Sequence, residues 1–202
     1  MGRPKLLLPW EHWTLIDQLL YAWTNSTVDH VVVVVRSDDE ELQSVCARWP
    51  VHTVKPTIAP NDMKESVRIG LQFLDDHWRP TNEDGCFVAP ADLPGLNSAV
   101  IDGLIEAGIG ATAITVPRFG RRRGHPALFP WSVTSQIFDL PQDQGVNQVV
   151  EQNPQHIVDF PAEDYFPDMD TPEEYRSMLE SQKDQSRDRA SDVQEHTDEP
   201  EV

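Results

Sequence analysis

Apolar and polar positions alternate along this chain in two rhythms, one of strands and one of helices. HVVVVVR (His30–Arg36) is a continuous β-branched run, the pattern of a strand buried on both faces. Upstream of it, Leu15, Ile16, Leu19, Leu20 and Trp23 recur at helical spacing. Downstream, SDDEELQSVCARW opens with Ser37 and acidic residues, which suit a helix N-terminus. A short strand is predicted near Val51–Val54, followed by a helix over NDMKESVRIGLQFLDDHW. GCFVA (Gly85–Ala89) reads as a strand, and NSAVIDGLIEAG as a helix with Asn97 as cap and Gly108 as stop. ATAITVP, PALF and HIVDF (His156–Phe160) are further strands. TPEEYRSMLE closes the pattern, with Thr171 placed as an N-cap and Pro172 at the first helical position.

Strands thus alternate with helices, which predicts an α/β sandwich of three layers, α/β/α, around a mostly parallel sheet. Ligands of such sheets bind beyond the carboxyl ends of the strands. There is no internal repeat and no inter-domain linker. From about Ser181 the sequence SQKDQSRDRASDVQEHTDEPEV has almost no apolar residues. Such a segment buries too little surface to offset its ordering entropy. The expected organisation is one domain over residues 1–180 and an acidic disordered tail over 181–202.

Composition narrows the function. The net charge of −18 in 202 residues disfavours general nucleic-acid binding, because a polyanion is repelled. It leaves room for a small phosphorylated ligand, which needs only local positive charge. No apolar run approaches the roughly 20 residues of a membrane span, and KLLLPW is too short for a secretory signal. Cys46 and Cys86 match no metal or redox spacing, so they read as reduced residues of a cytoplasmic protein.

Four stretches carry candidate chemistry. In CFVAPADLPGL, Asp92 falls just past a predicted strand, where a carboxylate can hold a metal; a turn aspartate beside proline is the plainer alternative. In DYFPDMDTPEEY, Asp168 and Asp170 precede a helix and either serve its dipole or share a Mg²⁺ with Asp92. VPRFGRRRGHPALF puts Arg118, Arg121, Arg122 and Arg123 in one loop, with Gly120 and Gly124 allowing close backbone approach. That loop suits a phosphate, or is simply a solvated basic loop. In the opening MGRPKLLLPW, Gly2, Arg3 and Lys5 resemble part of a phosphate-binding loop, with Lys5 fixed between a proline and an apolar run.

Taken in order, MGRPKLLLPW, MKESVRIGL, PADLPGL, GRRRGHPALF and DMDTPEEY resemble the motifs of the MobA-like nucleotidyltransferases, nearest to the molybdenum cofactor cytidylyltransferase branch. The resemblance covers residues 1–180. It implies a Rossmann-like nucleotidyltransferase fold and a Mg²⁺-dependent reaction. An acceptor phosphate attacks the α-phosphorus of an NTP, CTP by the branch, and pyrophosphate leaves. The acceptor implied is molybdopterin or the molybdenum cofactor, with a molybdoenzyme-maturation partner as a further implication. By the same resemblance, Lys5 and Gly2 contact the nucleotide phosphates, and Ser66 lies near the nucleobase. Asp92 is the main Mg²⁺ ligand, with Asp170 and Asp168 as further ligands, and Gly124, His125 and Pro126 face the acceptor.

Two departures modify the expectation. Asp62-Met63 stands where the branch has Gly-Met, adding a carboxylate near the nucleotide. Met1 aligns with the methionine inside the family's Arg-Met-Gly, so the family's first strand and its Leu-Ala-Ala-Gly turn have no counterpart here. The sequence therefore reads as starting at an internal methionine of a longer protein, with the first strand missing and the chain as it stands expected to be inactive or poorly folded. The competing reading is a non-catalytic relative that binds a nucleotide or pterin and acts as an interaction module.

Overall fold

The computed structural model describes residues 4–10, 12–93, 95–162 and 175–176. Pro4 leads into a single 3₁₀ turn, Lys5–Leu7, and a two-residue hairpin of β1 (Pro9–Trp10) and β2 (Trp13–Thr14). Helix α1 (Leu15–Thr24) starts at a capping box. The Thr14 hydroxyl accepts from the Asp17 amide, and the Asp17 carboxylate accepts from the Thr14 amide. Asp17 is only 5% exposed and also accepts from Arg48 Nη2 and Trp49 Nε1, each at 2.9 Å. One carboxylate therefore fixes the start of α1 against the segment that follows the second helix.

The next elements are β3 (Val32–Val34), α2 (Glu40–Cys46) and β4 (His52–Val54), with β3 and β4 paired in parallel. Asp39, rather than Ser37, caps α2, accepting from the Leu42 amide at 3.0 Å. Helix α3 (Met63–Trp78) is followed by β5 (Gly85–Val88) and α4 (Ser98–Gly108), which Asn97 caps as its sequence predicts. Then come β6 (Ile114–Phe119), β7 (Arg122–Arg123), β8 (Ala127–Pro130), α5 (Trp131–Asp139), α6 (Asn147–Gln152) and β9 (Gln155–Phe160). Tyr175 and Arg176, from the predicted closing helix, are helical, and the Tyr175 hydroxyl donates to the Pro9 carbonyl. Gly2, Asp168, Asp170, the Thr171–Pro172 helix start and the 181–202 tail lie outside the described residues.

The α/β class holds, but the sheet is more mixed than the alternation of elements predicts. In the five-stranded sheet, β8 runs antiparallel to both β5 and β6, while β6 and β9 are parallel. So β5, β6 and β9 share one direction and β8 opposes them. The cause is the short connection between β6 and β8, since a parallel return needs a crossover of about a dozen residues or more. β3 and β5 are each end strands of their ladders among the described residues. This explains why Val31–Val34 are only partly buried, although their sequence predicts cover on both faces. Side chains of α1, α4, β3 and β5 nevertheless share one core cluster, in which Trp23 packs edge-on to Phe87.

Gly108 ends α4 for a packing reason. A Cβ there would lie 2.2 Å from Thr115 Oγ1, so only glycine lets α4 approach β6 this closely. The left-handed glycine of this turn is Gly110, at φ 73°.

Two cations on α3 fix it against α5 and the loop beyond. Lys64 is 4% exposed, and its ammonium donates to the carbonyls of Pro141, Gln142 and Gln144 at 2.5–3.1 Å. One turn later, Arg68 donates to the carbonyls of Ile137, Phe138 and Leu140 at 3.0 Å each. These are carbonyls a helix end leaves without intrahelical partners, and positive charge is favoured there.

Burial alone would raise the pKa of Asp17. The hydrogen bonds from Thr14 and Trp49, with the charge of Arg48, outweigh it and hold the carboxyl below its ordinary value. A depressed native pKa stabilises the fold above the ordinary carboxylate range and loses that contribution as pH falls through the native value. Asp17→Asn should therefore cost about 1–3 kcal/mol at neutral pH. In urea melts, its gap from the parent protein should close below about pH 4; a gap independent of pH would contradict this. Lys64→Met should cost about 1–3 kcal/mol by leaving carbonyls unpaired. It should also speed hydrogen exchange across residues 141–144, and unchanged exchange there would show that the ammonium does not hold that loop.

Candidate active site

The sheet brings the chain at Asp92 and at Gly124–Pro126 to one end. Leu128 of β8 is paired with Phe87 of β5 on one side and Thr115 of β6 on the other. These three residues form a row across the sheet, and Val88 lies opposite Ala127 one step further on. The chain leaving β5 through Pro90 to Asp92 and the chain entering β8 through Gly124, His125 and Pro126 therefore lie side by side. The His125–Pro126 peptide is cis. β6 and β9 end together at Phe119 and Phe160, so the chain sets out toward Asp168 and Asp170 from this same end.

Lys5 reaches the site from the other terminus of the chain. Its Nζ donates to Asp92 Oδ2 at 2.6 Å, and the two side chains are 28% and 26% exposed. Pro4 at the N-cap fixes the start of the turn, and Leu7, buried beneath it, anchors the turn in the main core. Thus the two residues that the sequence assigns to phosphate and metal are in direct contact. An ammonium and a carboxylate so placed can receive a phosphate on one side and a cation on the other.

Ser66 lies in the first turn of α3, which follows the carboxyl end of β4, and its hydroxyl donates to the Asp62 carbonyl at 3.3 Å. Among the described residues it makes no hydrogen bond to Lys5 or Asp92. Asp62 has a structural job: it is the N-cap of α3, accepting from the Glu65 amide at 2.8 Å. That capping role is one the sequence reading did not assign to it.

Beyond the carboxyl end of β3, Pro4, Arg36, Asp38, Asp39, Glu40 and Glu41 line an open cavity of about 480 Å³. Arg36 is held there by Asp38 in a two-pronged contact at 2.6 and 2.9 Å. Sequence reasoning passed over Arg36; its signal is a charged residue directly after a valine run, at the end where ligands bind. Lys64 and Arg68 were also missed as structural residues. Their signal is that they fall on the same helical stripe as Val67, Leu71 and Leu74, which pack into the second core cluster.

Among the described residues no group of three or more His, Cys, Asp or Glu side chains is placed to hold a metal. Of the three carboxylates that the resemblance assigns to Mg²⁺, Asp92 alone lies among the described residues. Both cysteines are buried and unbridged. Burial pushes the Cys86 thiol up to about 12 and, with Asp17 and Asp39 nearby, that of Cys46 to about 11. Neither is a nucleophile near neutral pH.

The chain matches the model of the MobA-like NTP transferase domain over residues 1–157. A Bacillus anthracis protein named "Probable molybdenum cofactor guanylyltransferase" is 28% identical over 192 residues, spanning 92% of this chain and 90% of that protein. The crystal structure of Mycobacterium tuberculosis Rv0371c in complex with manganese is similar at a TM-score of 0.73 and 26% identity. That likeness covers 88% of this chain and 92% of the other. In fold alone, the chain is also similar to a 4-diphosphocytidyl-2C-methyl-D-erythritol synthase, with a TM-score of 0.70 and 19% identity over 87% of this chain and 93% of that one. With the family model matched over residues 1–157 and an α/β sheet of the same class as these structures, the chain belongs to the MobA-like NTP transferase family and is a nucleotidyltransferase.

Proposed function

We propose that this protein transfers a nucleotidyl group, with CTP as donor, to a phosphorylated acceptor of the molybdopterin or molybdenum cofactor class in the cytoplasm. The observation that carries the reading is the 2.6 Å contact between Lys5 and Asp92 at the carboxyl end of the sheet. The acceptor class is supported by the family and by the printed name of the Bacillus anthracis relative. CTP is supported by the motif order, which resembles the cytidylyltransferase branch. GTP is the second reading, favoured by the word guanylyltransferase in that relative's name.

A divalent cation fits Asp92, whose partly buried carboxylate already accepts a cationic partner. Mg²⁺ is the proposed ion, with Asp92 and, by resemblance, Asp168 or Asp170 as protein ligands and phosphates and waters as the rest. When bound, such an ion neutralises charge developing on the phosphates. The chain's own residues do the remainder. The Lys5 ammonium exchanges its carboxylate partner for a nucleotide phosphate, which leaves the Asp92 carboxylate to the cation. Pro4 and the turn it starts hold that ammonium in place, so little is reorganised as the phosphate charge builds. An acceptor phosphate is ionised at neutral pH, so no strong general base is required of the site.

Pyrophosphate release with molybdopterin as acceptor, under CTP or GTP, tests the proposal. The higher kcat/KM is expected with CTP; a clear preference for GTP would replace the base assignment, and no release with either would overturn the reaction. Asp92→Asn should lower kcat/KM about 10²-fold or more while the fold persists. Lys5→Met should bind Mn²⁺ more tightly than the parent when no nucleotide is present, because it removes the cation competing for Asp92. It should also bind NTP more weakly. Electron paramagnetic resonance of free Mn²⁺ reads the first effect, and weaker Mn²⁺ binding by Lys5→Met would contradict the exchange.

A further inference from the structure

The β6–β7 hairpin departs in charge from the rest of the molecule. Residues 118–123 hold four arginines and no acidic residue, in a chain of net charge −18. The hairpin is also held in place. Arg118 donates in two prongs to Asp159 of β9 at 2.6 and 2.7 Å, and Arg123 donates to Gln155 at 2.7 Å. The Gly124 amide bonds to the Pro117 carbonyl, and Gly120 turns the chain at φ 60°. β9 pairs with β6 along its whole length, so β7 and β8 share the other edge of β6. The hairpin therefore continues the β6–β8 ladder beyond the sheet, with Arg121 and Arg122 exposed at its tip.

Register places this tip relative to the reacting centre. Phe87, Leu128 and Thr115 share a row. Counting five residues onward from Phe87 gives Asp92, and five onward from Thr115 gives Gly120. Phe87 and Thr115 are two strand spacings, about 10 Å, apart, and from them the chain runs toward the same end of the sheet, to Asp92 from β5 and to the hairpin tip from β6. Lys5 pairs with Asp92, and its neighbour Pro4 lines the cavity with Arg36.

We infer that Arg121 and Arg122 bind the acceptor at a second anionic group, separate from the phosphate that attacks the nucleotide. The acceptor class so defined is a small molecule with anionic groups at both ends, recognised at two points. Planar guanidinium groups suit this task, because each donates two parallel hydrogen bonds to a phosphate or similar oxyanion. Two-point recognition also orients the acceptor phosphate toward Asp92, so a compound with the phosphate alone is a poor acceptor.

This inference rests on the proposed transferase reading, and the experiment separates the two. Arg121→Glu/Arg122→Glu is compared with the unsubstituted protein by calorimetric titration with molybdopterin and with CTP, and by steady-state pyrophosphate release. Molybdopterin affinity should fall about tenfold or more, as for the loss of charge-assisted contacts. CTP affinity should stay unchanged, and the acceptor KM should rise while kcat holds. Raising the salt concentration should narrow the difference, because exposed charges are screened. Unchanged molybdopterin affinity would overturn the inference, as would an equal loss for CTP, which would assign the tip to the nucleotide. An unsubstituted protein that does not bind molybdopterin would overturn both readings. Binding that depends on the two arginines, without pyrophosphate release, would overturn the transferase reading and leave the tip's role standing.

Discussion

The ion pair between Lys5 and Asp92 joins two parts of the chain 87 residues apart, and the functional account depends on it. Neither residue would be informative alone. An aspartate between prolines is common in turns, and a lysine near a terminus is usually a surface charge. Their contact places the start of the chain at the carboxyl end of β5, where an α/β sheet binds ligands. Because both side chains are about three-quarters buried, the pair sits in lower dielectric than a surface contact, and exchange of its partners is energetically significant.

Much of the remaining structure holds that contact in position. Leu7 anchors the Lys5 turn, and Asp17 fixes the adjoining helix through Thr14, Arg48 and Trp49. On the other side of the site, the row of Phe87, Leu128 and Thr115 sets the height of Asp92 against the His125–Pro126 peptide and the arginine hairpin. Lys64, buried, and Arg68, half-buried, do the corresponding work for α3 by donating to carbonyls of α5 and the loop beyond it. The polar groups of the interior are thus spent on orientation, and the two apolar clusters on either side of the sheet supply cohesion.

The strands from β3 onward other than β7, and helices α1 to α4, were legible because each carries an apolar pattern, and Asn97 marks the start of α4. Helices α5 and α6 were not, because neither begins with a capping side chain. The four arginines read as one loop, whereas Arg118 lies in β6 and Arg122–Arg123 form β7. The sheet's mixed direction is written in the short GRRRG connection rather than in the strands themselves. Lys5, Asp92 and the Gly124–Pro126 segment were legible as motifs, yet only tertiary structure shows that Lys5 touches Asp92. Asp62 reads as a departure from the motif, and only the structure shows that it also caps α3 through the Glu65 amide. The burial of Lys64 is the least legible feature, since a lysine is rarely fully buried. Only its place on an apolar helical stripe hints at it.

The measurement that tests the central claim most directly is a crystal structure of the protein with Mn²⁺ and a non-hydrolysable NTP. The account predicts an anomalous peak at the Asp92 carboxylate, at about the 2.0–2.3 Å expected of metal–oxygen bonds, and the Lys5 ammonium moved onto a phosphate oxygen. A nucleotide bound while the Lys5–Asp92 pair stays closed, or a metal seated away from Asp92, would contradict it.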